Sequence, residues 1–407
     1  MKVQPFKCGP DYIDTKHHAM AAGEEAVNLD TFMASSEHVR QLYARYGATC
    51  DVCVTEGVMG LFDGYDKMKG SSAEIAGLLG IPVVLVLNAK STAYSVAPVL
   101  YGFKHFYPGI RVVGAIFNFV LSESHYAYLR GACEDVGIEA LGYIPKDDGI
   151  VIPSRHLGLS IDESFCFDEF ADRVAEVIAK TVNVERLLEI CTTGFPACGV
   201  KGDAERGNMK IAVARDEAFN FMYRENIEAL EREGEVVFFS PLHDTVLPEV
   251  DLIYLPGGYP ELFLAELSGN EGMKRALRAY CEAGGKVLAE CGGMMYLCES
   301  IAGTDGVAYP MVGVLSREAT MEPMKLKLGY REVVLNGKAI RGHEFHYSRV
   351  KPGTEEVACV GEVYNAKGEK VDTPVYRYKN VIASYVHFYW GEHGMERLLN
   401  MALRDSE

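Results

Sequence analysis

Two residues far apart in the chain, a cysteine and a histidine, have the types and surroundings that thiol chemistry needs. Cys291 sits in KVLAECGGMMYL (Lys286 to Leu297), after a short apolar run and before two glycines and an apolar stretch with helical spacing. Strand, sharp turn and helix start make an elbow, which is expected to lift the sulfur out of the packing and favour its thiolate. Gly292 lets the backbone bring an N–H close to an oxyanion. A second buried strand, in DLIYLPGGYPE (Asp251 to Glu261), ends in Gly257 and Gly258, whose amides can complete the same oxyanion hole. His387 lies just past the apolar core of VIASYVHFYW, Val381 to Trp390. Both residues fall at strand ends, an arrangement that suits thiolate–imidazole catalysis. On these residues alone, a buried structural cysteine beside a glycine turn is the competing reading.

A second set is acidic. Lys2 to Lys7 reads as a strand, followed by CGPDYID, a Gly-Pro turn that brings Asp11 and Asp14 together. Asp51 to Glu56 (DVCVTE) reads as the next buried strand, so Glu56 stands at a strand C-terminus with Asp63 in the glycine-rich loop beyond. Ligands of open α/β sheets sit outside strand C-termini, which sets these acids against their blander reading as a solvated loop. Lys7 is a candidate for neutralising transferred charge, or a solvated sheet-edge lysine. Asn118 closes another strand, as a nucleotide contact or a simple turn. Arg155 and His156 follow a Pro-Ser turn and either hold substrate carboxylates or shape the loop. Cys50 and Cys53 have CxxC spacing, but on a strand and with no second pair, which favours core packing. His343 and His346 fall on opposite faces of a strand, which argues against a shared zinc.

The elements that must position these residues alternate. Ser71 to Gly80 reads as a helix capped by Ser71 or Ser72. Val83 to Ala89 reads as a strand buried on both faces, and Thr92 to Phe106 as a helix. Val112 to Asn118 is a strand, Glu123 to Gly137 a helix, and ALGYIP another strand; Asp168 to Val182 closes the pattern as an amphipathic helix. This order gives an α/β fold with a parallel, doubly wound sheet. Residues 191–209 gather Gly, Pro and charge and read as a linker. A new α/β pattern starts at Lys210, with a more β-rich stretch from Pro310 to Tyr378. The division expected is therefore 1–190, linker 191–209, and 210–407.

Bulk properties narrow the field. A chain of 407 residues suits two domains. A formal charge of −17 argues against a nucleic-acid surface, because phosphate neutralisation needs basic clusters. Eleven scattered cysteines resemble a reduced inventory, and no apolar run reaches the ~18 residues of a membrane span. The cytoplasm is the expected compartment, and the oligomeric state is left open.

The stretches around Cys291, Gly258 and His387 resemble the class I glutamine amidotransferase domain, in which cysteine attacks the side-chain amide of glutamine and releases ammonia. Members of that class carry a Glu two residues after the histidine, where this chain has Tyr389, so the resemblance does not supply the group that orients His387. Its absence, with HEFHYS (His343 to Ser348), resembles the cobyrinate and cobyric acid synthases. KVQPFKCGPDYID, TEGVMGLFDG, GAIFNFV and PSRHLGL look like successive landmarks of the cobyrinate a,c-diamide synthase family. That resemblance implies an N-terminal nucleotide-binding domain that amidates the a and c acetate side chains of a corrinoid. ATP and glutamine would be co-substrates, with Mg2+, and acyl phosphates the intermediates. Glu56 is then the metal ligand, and Lys7, Asp11, Asp14 and Asp63 serve phosphoryl transfer and substrate. Asn118 contacts nucleotide, Cys291 is nucleophile, His387 its base, and Gly258 and Gly292 hold the oxyanion.

Members of the family open with a phosphate-binding loop ending Gly-Lys-Thr, and nothing of that kind occurs in these 407 residues. The first strand–loop–helix unit is absent by comparison. Its strand would belong near the sheet centre, so its neighbours are expected to expose apolar surface and the chain as written to turn over ATP poorly. Three alternatives stand beside the main reading: amidation of another tetrapyrrole (hydrogenobyrinate or nickel sirohydrochlorin), a non-catalytic ATPase-fold scaffold, and a stand-alone glutaminase.

Overall fold

Strand and helix alternate through the computed structural model, which describes residues 1–151, 154–155, 158–159, 166–195, 206–353 and 355–403. In chain order the elements of the first half are β1 (Val3–Cys8), α1 (Asp14–Ala22), β2 (Val27–Leu29), α2 (Ser36–Gly47), β3 (Val52–Glu56), α3 (Ser72–Leu79), β4 (Pro82–Asn88), α4 (Ala97–His105), β5 (Arg111–Val120), α5 (Glu123–Val136), β6 (Glu139–Pro145), the two-residue strands β7 (Ser154–Arg155) and β8 (Gly158–Leu159), α6 (Phe167–Thr181) and α7 (Val184–Cys191). The chain divides into two compact units, one of Met1–Leu29 and Val39–Val200, the other of Asp30–His38 and Lys201–Glu407. Nothing in the periodicity of residues 30–38 assigns them to the second unit. Among the described residues no helix is long and apolar enough to cross a membrane.

In the first unit the parallel strands form two three-stranded sheets, β2-β1-β3 and β4-β5-β6, not one continuous sheet. This corrects the expectation of a buried strand over Asp51 to Glu56 and of one buried on both faces over Val83 to Ala89. Val54 on β3 is 53% exposed and Val86 on β4 is 64% exposed. Each lies on an edge strand, with a neighbour on one side only. The helices form where their signals predict. The Ser71 side chain caps α3 by accepting from Glu74 N at 3.2 Å, and Gly80 ends it in the left-handed conformation.

The second unit contains β9 (Met209–Ala214), α8 (Arg224–Glu233), β10 (Gly234–Phe239), β11 (Leu252–Leu255), α9 (Leu264–Gly269), α10 (Glu271–Glu282), β12 (Lys286–Glu290), α11 (Gly292–Leu297), β13 (Cys298–Ala302), β14 (Ala308–Pro310), β15 (Leu315–Thr320), β16 (Lys327–Leu335), β17 (Lys338–His346), β18 (Arg349–Pro352), β19 (Ala358–Cys359), β20 (Glu362–Asn365), β21 (Val375–Tyr378), β22 (Val381–Ser384), β23 (His387–Phe388) and α12 (Met395–Leu403). Its main sheet runs β10-β9-β11-β12-β22-β21-β19, parallel from β10 to β22. Alternation explains why it is buried on both faces. Ala212, Ile253, Val287 and Ala289 face Met273, Leu277 and Cys281 of α10, while Ile211, Val213, Tyr254 and Leu288 face Ile227, Leu230 and Leu398. Most of the β-rich stretch pairs in antiparallel fashion, as expected, with β16 and β17 its longest hairpin.

Candidate active sites

The elbow is built where two central strands end side by side. β12 and β22 are parallel neighbours with Glu290 opposite Ser384, and Cys291 N donates to Ser384 O at 2.7 Å. The backbone then turns sharply, with Cys291 at φ 45°, ψ −106°, before α11 begins. A β-substituted residue pays about 1–3 kcal/mol for such a conformation, which persists only where both flanks are fixed. Here the flanks are β12 and the Met295 N to Cys291 O bond of 2.9 Å. The loop after β11 closes over the turn: Gly293 N donates to Pro256 O at 3.0 Å. A Cβ on Gly292 would lie 3.1 Å from Gly258 N, so the two predicted oxyanion amides belong to one close approach. The same loop touches the histidine, since a Cβ on Gly257 would meet His387 Cε1 at 2.2 Å.

The electrostatics differ from the exposed thiolate expected from sequence. Cys291 is only 5% exposed, and burial raises its thiol above the ordinary range, with the Glu261 charge adding to the effect. The Gly292 N–H pulls the other way by bonding the sulfur. His387 is 1% exposed; burial, and after it the charge of His346, push its imidazole down to about 3 against the opposing pull of Glu344. Thiol and imidazole therefore rest neutral, and the proton must move when substrate arrives. Glu261, after the same loop, is raised by burial to about 7.

Around His387 the β17 strand contributes a polar layer. His343 pairs opposite His387 in the ladder, and their rings stack at 4.9 Å; the Tyr223 hydroxyl lies 3.0 Å from His343 Nδ1. Glu344 is fully buried and accepts from Arg331 Nε at 2.6 Å and Thr373 Oγ1 at 2.9 Å, and it bonds His346 Nε2 at 2.8 Å. His346 stacks on Tyr385 at 3.6 Å, so the two histidines of HxxH serve different partners. Tyr389, where an acid was missed in the sequence, bonds His38 Nε2 through its hydroxyl at 2.8 Å. A carboxylate that does lie near the imidazole is Glu290, with Oε2 4.0 Å from His387 Nδ1.

In the first unit, β1 and β3 end together, Lys7 opposite Glu56. The Lys7 ammonium is buried among three acids: Asp14 Oδ2 at 2.7 Å, Glu56 Oε2 at 3.0 Å and Asp11 Oδ2 at 3.7 Å. Burial alone would lower its pKa, but the Asp14 and Glu56 pairs outweigh that and hold it raised. This overturns the solvated-lysine reading. Asp11 is raised by burial and by Asp14, while its Oδ1 accepts from Ile13 N and Asp14 N at 2.8 and 3.0 Å. Glu56 is opposed by burial but lowered overall by His18 and Lys7; His18, which sequence reasoning missed, meets its Oε2 at 2.7 Å. Among the described residues no three His, Cys, Asp or Glu side chains are grouped to hold a metal by themselves. Glu56, 49% open, suits the single-carboxylate manner in which magnesium binds with substrate phosphates.

Asp63 is exposed and held within its own loop, accepting from Gly60 N at 3.0 Å. Asn118 bonds Phe119 N at 2.8 Å through its own Oδ1, and β5 continues past it to Val120. The backbone at Arg155 pairs with Gly158, whereas His156 lies outside the described residues, as does most of the expected linker.

Residues 210–395 match the family model described as a CobB/CobQ-like glutamine amidotransferase domain. Along almost its whole length the chain is similar to proteins named cobyrinate a,c-diamide synthase. That of Caldanaerobacter subterraneus is 40% identical over 98% of this chain and 91% of its own. That of Salmonella typhimurium is 37% identical over 96% and 89%, and that of Listeria innocua 38% identical over 95% and 89%.

Proposed function

This chain belongs to the cobyrinate a,c-diamide synthase family, and we propose that it is a glutamine-dependent ligase that amidates the a and c acetate carboxylates of cobyrinate. The observation that carries the glutaminase half is the Gly257-Gly258 loop, which meets the His387 ring with one glycine and the Cys291 elbow with the other. Cys291 passes its proton to His387 and attacks the glutamine side-chain carbonyl. The Gly258 and Gly292 amides receive the oxyanion, and ammonia leaves with the proton returned by His387. Water then cleaves the thioester to glutamate and regenerates the thiol.

An ionised carboxylate does not accept ammonia, because oxide is too poor a leaving group. Transfer of the ATP γ-phosphoryl to a corrinoid carboxylate makes an acyl phosphate, and ammonia then displaces inorganic phosphate. Lys7 offsets the charge of the moving phosphoryl group; Asp11, Asp14 and Asp63 position the acceptor, and Asn118 meets the nucleotide base. Magnesium, held by Glu56 and phosphate oxygens, would supply further positive charge there. Division at a linker over 191–209, with 1–190 and 210–407 as domains, fits this separation of tasks.

Glutamate release and amide formation, measured with and without ATP and cobyrinate, test the reading. Corrinoid-dependent amide formation that Cys291→Ala abolishes with glutamine as donor would support it. Glutamate release indifferent to ATP and corrinoid would indicate a stand-alone glutaminase, and neither activity a scaffold.

A further inference from the structure

Glu290 ends β12 directly before the nucleophile and is 1% exposed. Its Oε1 accepts from Phe388 N at 3.0 Å, the residue after His387, and its Oε2 accepts from the Tyr254 hydroxyl at 2.8 Å. These bonds tie β11, β12 and β23 to one carboxylate and fix Oε2 at 4.0 Å from His387 Nδ1. A carboxylate offers about four acceptor sites, so two donors leave capacity for Nδ1–H. Catalytic hydrogen bonds are commonly long before substrate arrives, and a movement of about 1 Å would close this one.

We infer that Glu290 is the positioning residue for His387, orienting the ring through Nδ1 so that Nε2 exchanges its proton with Cys291. This rests on the reading of Cys291 and His387 as nucleophile and base. The chain thereby places its orienting acid beside the nucleophile, not two residues after the histidine, where Tyr389 instead reaches His38. Burial holds Glu290 up at about 8 and His387 down to about 3, so neither charge is favoured alone. With Glu290 ionised, the imidazolium that forms when His387 takes the Cys291 proton and the carboxylate beside it compensate each other. Among the described residues, His343, Glu344 and His346 of β17 also act on the imidazole, and Tyr254 of β11 faces Glu290.

The test is Glu290→Gln, which keeps the shape, assayed for glutamate release with ATP and cobyrinate present. We expect kcat to fall about 10²-fold with KM for glutamine unchanged. Alkylation of Cys291 by iodoacetamide, followed by mass spectrometry of its peptide, should slow in parallel, and the melting temperature should hold. Unchanged kcat and unchanged alkylation would overturn the inference. If Glu290→Gln does not fold, Tyr254→Phe decides: a lower kcat at constant KM supports the assignment, and wild-type kcat removes it. Cys291→Ala separates the two levels. Glutamate release by that variant would bring down the nucleophile reading and this inference together, whereas normal turnover by Glu290→Gln alone leaves the former standing.

Discussion

Replacing Gly257 by alanine tests the contact that unites the elbow and the histidine. The added Cβ would sit 2.2 Å from His387 Cε1 and 3.0 Å from Nδ1. An ordinary carbon contact begins near 3.4 Å, so the ring must retreat by roughly 1.2 Å, and misplacement of a catalytic group on that scale costs about 10²-fold. That loss corresponds to about 2.7 kcal/mol of barrier at 1.36 kcal/mol per tenfold. Gly257 is not in the left-handed region, so the substitution adds no backbone strain of its own. The assay is initial-rate glutamate release with ATP and cobyrinate, alongside a thermal melt of the same preparation. We expect kcat to collapse while the melting temperature moves only slightly, because Gly257 abuts a ring that can tilt. A kcat within about 3-fold of wild type, less than 1 kcal/mol, would refute the proposed closeness of loop and imidazole.

Two further outcomes follow from buried charge. Lys7→Met leaves Asp11, Asp14 and Glu56 without their shared cation. Breaking a buried pair costs about 3–5 kcal/mol, discounted to roughly 2 because the acids are partly open, and urea unfolding should record it. Glu344 is opposed by burial but held down to about 2 by its bonds to His346 and Arg331, against an ordinary 4.5. Its contribution is complete above about pH 4.5 and disappears as pH falls through 2, so Glu344→Gln should flatten the acid limb of the stability profile by about 3 kcal/mol. Unfolding free energies measured at pH 5 and pH 3 should show about 2 kcal/mol of that difference between the two proteins, the rest falling below pH 3, and parallel losses would contradict it.

Local patterns were legible because their causes are local. The elbow at Cys291 and the cap at Ser71 are each written within a few residues, and short apolar runs mark β11 and β12 as buried strands. Lys7 and Glu56 could be placed at strand ends because parallel strands align their C-termini. By itself the sequence therefore determined the α/β order, the turn at Cys291 and the acids that cluster at β1 and β3. Only the tertiary structure decided what covers each face and which distant groups meet. An apolar run on β3 or β4 records an apolar side but not a neighbour, and Val54 and Val86 are left open on edge strands. Cys291 was expected in the open, yet it is 5% exposed, and that burial reverses the expected shift of its thiol. Glu290 meets Phe388 across 98 positions of chain, and Tyr389 meets His38 across 351. Partners at such separations are chosen by strand register and loop packing, which a residue's immediate neighbours do not encode.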